Sequence, residues 1–149
     1  AAVGQAIKKS QEMMQQEIDR NRILIEKSII TALTFAQQPK TKTINLYYIS
    51  QMSKDLERIA DYLIQIDHKD LEFFEIVKKR MGVLSEMVEL IFTNENFDIK
   101  KAIMFSKDVL SMQKFEINNL ESYYKNRVRE YLENISDTLI DIAITQKVE

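Results

Sequence analysis

Apolar residues recur along this chain in steps of three, four and seven. Ile7, Met14, Ile18, Ile25, Ile29 and Ala36 mark a first helical segment. Ile44, Tyr48, Met52, Leu56, Ile59, Leu63 and Ile66 mark a second, and Phe74, Val77, Met81, Leu84, Val88 and Ile91 a third. Ile103, Leu110, Ile117, Leu120 and Tyr124 carry a fourth, and Val128, Leu132, Ile135, Leu139 and Ile142 a fifth. Such spacing gives each helix one stripe to bury. The breaks are short and polar. "QQPK" ends the first segment at Pro39, which can also open the next helix. "DHKD" (Asp67 to Asp70) offers capping residues, and "TNENFD" (Thr93 to Asp98) is the third break. Short breaks make neighbouring helices antiparallel, so the pattern predicts an all-α, up-down antiparallel helical bundle. Gly82, inside the third segment, costs ~1 kcal/mol against alanine and is read as a close helix crossing.

Composition narrows the picture. The 149 residues suit a single domain, 45% apolar and 30% charged, with a net charge of −2 that points to no nucleic-acid surface. Two glycines and one proline leave little for tight-turned sheets. There is no cysteine, so disulfides, thiolate chemistry and sulfur-ligated zinc are excluded. The one histidine, His68, allows neither a catalytic triad nor a two-histidine metal motif within the chain, and it is expected at the surface of a turn. No nucleophile is placed beside a base and no glycine loop could cradle phosphate, so an enzyme is not expected. No apolar run is long enough for a membrane span, and no signal peptide is visible. The chain opens "AAVGQAIKK" without a methionine, which leaves open a part ahead of residue 1.

The chain also repeats itself. "QEIDRNRILIEKSI" (Gln16 to Ile29) pairs with "FEINNLESYYKNRV" (Phe115 to Val128), and "DLERIADYLIQI" (Asp55 to Ile66) with "YLENISDTLIDI" (Tyr131 to Ile142). Repeat one spans about 1–67 and repeat two about 70–149. The spacings disagree: Glu17 lies 40 positions before Glu57, but Glu116 only 17 before Glu133. Three arrangements account for this. Residues could be absent between about Tyr124 and Arg129, the final helix could be truncated, or one helix could run from about Asp98 to Lys147. The first is favoured, because a copy without its turn could not fold back.

These motifs carry a resemblance. A Gln-Pro corner followed by Leu56, Glu57, Arg58, Ile59, Ala60 and Asp61 resembles the signature of the PhoU family of phosphate-uptake regulators. Leu132, Glu133, Asn134, Ile135, Ser136 and Asp137 resemble its looser second motif, and "EIDRNRILIEKSI" its acidic segment, which places Asp19. Asn134 stands where that family has arginine, Asn118 replaces an acid, and Thr43-Ile44-Asn45 replaces Asp-Leu-Arg. The resemblance implies two three-helix repeats, of which the opening helix of the first would be missing here. It implies an adaptor between a phosphate transporter and a signalling kinase, in the cytoplasm, touching membrane only through a partner or an absent upstream segment. Two forms are open: a regulator that stands alone or follows a DNA-binding domain, and the cytoplasmic domain of a sodium–phosphate cotransporter.

Glu57 and Asp61, and again Glu133 and Asp137, are four apart, so each pair lies on one helical face. Two such carboxylates can bridge a hard cation when a third acid faces them. By resemblance, Asp19, Glu57 and Asp61 would be ligands of one multinuclear metal cluster, and Glu133 and Asp137 of another, with iron expected ahead of zinc or manganese. Against this, a Glu-x-x-x-Asp pair on a helix usually faces water, and it could equally be a docking surface. A carboxylate-bridged metalloenzyme would need Glu-x-x-His pairs that this chain lacks. A plain structural bundle without metal is the remaining alternative. The apolar stripes would also serve a homodimer. The tyrosines and methionines are read as packing residues.

Overall fold

The computed structural model describes residues 2–6, 8–9, 12–13, 16, 43–67, 70–93 and 97–148. Those described between 2 and 16 are helical and exposed. Beyond them lie four helices: α1 (Thr43–Gln65), α2 (Leu71–Thr93), α3 (Ile99–Leu110) and α4 (Leu120–Val148). No strand occurs among the described residues, so the expected all-α bundle is what the chain forms. No described helix is long and apolar enough to cross a membrane. The stripe from Ile7 to Ala36, Pro39, Asp19 and His68 lie outside the described residues.

The helices begin where their polar neighbours cap them. Asp70 accepts the Phe73 N–H at 3.2 Å ahead of α2, and Asp98 accepts the Lys101 N–H at 3.1 Å ahead of α3. At the head of α4, Asn119 accepts the Ser122 N–H at 2.8 Å, while the Ser122 hydroxyl accepts the Asn119 N–H at 3.3 Å. This reciprocal pair satisfies two donors that the first turn would otherwise leave open.

One core joins the four helices. Met52, Leu56, Ile59 and Leu63 of α1 and Phe74, Val77, Met81 and Leu84 of α2 are buried, as their spacing requires. Val128, Leu132, Ile135, Leu139 and Ile142 of α4 are wholly enclosed. Each such side chain contributes about 1.5–3 kcal/mol relative to exposure. Contacts fix the directions. Tyr62, near the end of α1, meets Arg127 and Tyr131, near the start of α4. Arg80 of α2 reaches Asp108 at the end of α3, with Nη2 to the backbone oxygen at 3.0 Å and to Oδ1 at 3.3 Å. The bundle therefore runs up and down, with α1 and α4 as antiparallel neighbours.

Three expectations are corrected. First, no turn occurs at 124–129: α4 is continuous through it, and the fold-back is made by residues 111–119. That turn needs neither glycine nor proline, because α4 itself fastens it. Asn126 accepts the Phe115 N–H at 2.8 Å and donates Nδ2 to the Phe115 oxygen at 2.7 Å. Arg129 donates Nε to the Met112 oxygen and Nη2 to the Leu110 oxygen, both at 3.1 Å. Lys125 pairs with Asp70, its ammonium 5.0 Å from the Phe115 ring centre and 5.7 Å from that of Phe73.

Second, the stripe of the fourth segment is not the one that sevenfold spacing suggests. Ile103, Leu110, Ile117 and Leu120 are all exposed, Ile117 by 63%, and Ile117 lies in the turn rather than on a helix. The buried face of α3 is Ala102, Phe105 and Val109, continued by Met112. Third, Gly82 marks no crossing, since a Cβ there would meet nothing within 4 Å. It is an exposed glycine inside a helix, carrying the entropic cost of its flexible backbone without a packing return. Gly82→Ala should stabilise the protein by about 0.5–1 kcal/mol, raising its melting temperature by about 1–4 °C. A lower melting temperature would show that the position is constrained after all.

Candidate functional site

The first acidic pair sits on α1, two turns from its C-terminal end. Leu56, Ile59, Ala60 and Leu63 turn inward, which leaves Glu57 and Asp61 on the outer side of the same turns. Both carboxylates are exposed, and neither has an ion pair or hydrogen bond among the described residues. They are thus two free donors one helical turn apart. Asp19, the expected third ligand, lies outside the described residues. No cluster of three or more acidic or histidine side chains that could hold a metal occurs among the described residues.

The second pair differs. Asp137 is exposed, but Glu133 is half-buried and ion-paired with the Arg129 guanidinium one turn earlier on α4. Only 14% of the Arg129 side chain is exposed, and its other nitrogens are spent on the Leu110 and Met112 carbonyls. A metal at Glu133 would have to share the carboxylate with, or displace, a guanidinium that stays charged at any physiological pH. The two motifs look alike as sequence, yet their acids are in different chemical states.

A further carboxylate, outside both acidic pairs, also stands out. Tyr48, Asp55 and Tyr62 follow one another at sevenfold spacing along α1. Tyr62 packs against α4: its ring lies 6.0 Å from Tyr131, 5.8 Å from Tyr124 and 5.8 Å from the Arg127 guanidinium carbon. Asp55 shares that line, on the flank of α1 away from Glu57, because two residues along a helix turn by about 200°. It is half-buried and has no hydrogen-bond or ion-pair partner among the described residues. Burial pushes its carboxyl up to about 6. The signal that could have found it is its place between two tyrosines flanking the apolar stripe.

Elsewhere the geometry is structural. A cavity of about 100 Å³ between α2 and the 111–119 turn is walled by Phe73, Met112 and Phe115, with Asp70 and Glu72 at its edge. None of the paired acids lines it. Arg127 joins Tyr62, Tyr131 and Glu130, donating to the Tyr131 hydroxyl at 3.0 Å and to Glu130 at 2.5 Å, and so seals the α1–α4 seam. The tyrosines of α4 thus serve packing, as expected.

Residues 4–67 match the family model of the PhoU domain, the family that the acidic motifs resemble. The matched segment contains Glu57 and Asp61 and ends at the break before α2. No curated protein and no solved structure matches the chain. The likeness to the PhoU domain thus falls within the first 67 residues, somewhat under half of the chain.

The state of Asp55 has a measurable consequence. Its folded carboxyl titrates at about 6 rather than at the usual 3.8, so between those values the folded chain holds a proton that the unfolded chain has lost. This group therefore favours folding most at low pH, loses that advantage as pH rises through the window, and opposes folding above it. Asp55→Asn should melt higher than the parent at pH 7, with the difference shrinking steadily as pH falls towards about 4. An equal difference at both ends, or none, would contradict the assignment.

Proposed function

We propose that this chain regulates phosphate uptake as an adaptor, and that the Glu57–Asp61 face of α1 is its working surface. The observation that carries the reading is the coincidence of the PhoU-domain match, over residues 4–67, with a pair of acids that the fold leaves free and facing solvent. The partners that fit this reading are the components of a phosphate transporter and of its signalling kinase, met at the cytoplasmic side of the membrane.

A metal cluster is part of the proposal at the first pair only. Glu57 and Asp61, with Asp19, are the residues that would hold it, and hard cations such as iron or manganese suit carboxylate donors. When bound, it would supply a fixed positive charge and a rigid link between helices. Without it, the same two carboxylates present an acidic patch to a basic partner surface.

Cells lacking this protein, complemented with the parent or with Glu57→Ala/Asp61→Ala, test the reading through phosphate uptake in phosphate-rich medium. Loss of the protein should leave uptake unrestrained, the parent should restore restraint, and the variant should fail to do so at matched helicity and abundance. Uptake that ignores the presence of the protein would contradict a regulatory role. A fully active variant would remove Glu57 and Asp61 from it.

A further inference from the structure

We infer that Arg129 is the resident cation of the second acidic motif, and that its pair with Glu133 is a latch closing the α3–α4 turn rather than half of a metal site. Of the two acidic motifs, only the one on α1 then remains a metal candidate. Only this last point rests on the metal reading above; the latch stands on the geometry of α4 alone.

The Arg129 guanidinium has three uses, and all are visible. Nη1 faces Glu133 in an ion pair, Nη2 takes the Leu110 carbonyl and Nε the Met112 carbonyl. Leu110 and Met112 flank the end of α3, where the helix leaves carbonyls without intrahelical donors. A cation placed there also opposes the negative end of the α3 dipole. The fork is well suited to this, because guanidinium donors lie in one rigid plane. Glu133, half-buried and four residues on, holds that plane in place and balances its charge where water is scarce. Asp137, one turn further, is exposed and takes no part in the latch, so the two acids of the motif do not act as a pair. One Glu133 oxygen is committed to the guanidinium, so a metal at this motif would have to share the carboxylate with a cation already in place.

The experiment compares the parent with Glu133→Gln/Asp137→Asn and Glu57→Gln/Asp61→Asn. Each is incubated anaerobically with Fe(II), or with Mn(II), desalted, and read by elemental analysis and thermal unfolding. Glu133→Gln/Asp137→Asn should keep the parental metal-to-chain ratio while melting about 2–6 °C lower. Asp137→Asn alone should melt with the parent. Loss of metal in Glu133→Gln/Asp137→Asn, or an unchanged melting temperature, would overturn the inference. If the parent takes up neither metal, the metal reading of Glu57 and Asp61 fails, and the latch is judged by melting alone. A cycle with Arg129→Met separates the latch from general damage. Glu133→Gln should cost much less in the Arg129→Met background than in the parent, whereas equal costs would overturn the inference.

Discussion

The bundle depends on how α4 holds the turn that precedes it. Residues 111–119 leave α3 without helical hydrogen bonds to receive them, and backbone polar groups must find partners when partly buried. Ser122, Asn126 and Arg129 supply these from one face of α4, and Lys125 adds a bond to Asp70 at the head of α2. The spacing of these residues repeats every three and four positions, so one rigid helix grips the whole turn. Asn126 does for Phe115 what a neighbouring strand would do, giving and taking one bond each. With the turn fixed, α3 lies antiparallel to α4, and the Tyr62–Arg127–Tyr131 cluster fixes α1 on the other side.

How much of this could be read in the chain depended on whether the signal was local. The stripes of α1 from Met52 onward, of α2 and of α4 were legible because each apolar step of three or four is a true core position there. The stripe of α3 was not. Ile103 and Leu110 fall on the exposed side of α3, Ile117 lies where the helix has already ended, and the real stripe includes small Ala102. The turn at 111–119 was hidden for a related reason. It is built from Asn118, Asn119 and Ser122, whose side chains imitate backbone, rather than from glycine or proline. Gly82 misled in the opposite direction, because a helical glycine can reflect mere tolerance as well as close approach.

The acidic motifs show the same limit. That Glu57 and Asp61 face outward followed from the apolar residues beside them. That Glu133 is occupied was within reach, since Arg129 stands one turn before it, but its engagement depends on the Leu110 and Met112 carbonyls, which only the fold brings near. Asp55 was least legible, because its burial arises beside the tyrosine seam and leaves no mark in the motif. The two acidic motifs thus differ in the state of their glutamates. One motif keeps free carboxylates on the outside, within the matched PhoU segment, and the other has turned its glutamate inward to stabilise the molecule.

The central claim is that α4 is one uninterrupted helix that fastens residues 111–119. Hydrogen exchange resolved to individual amides tests it directly. Amides from 124 to 129 should exchange as slowly as those around Leu132 and Ile135, and the Phe115 amide should be protected while those of Gln113 and Lys114 exchange freely. Rapid exchange across 124–129, with no protection at Phe115, would break α4 in two and remove the support on which both the turn and the latch rest.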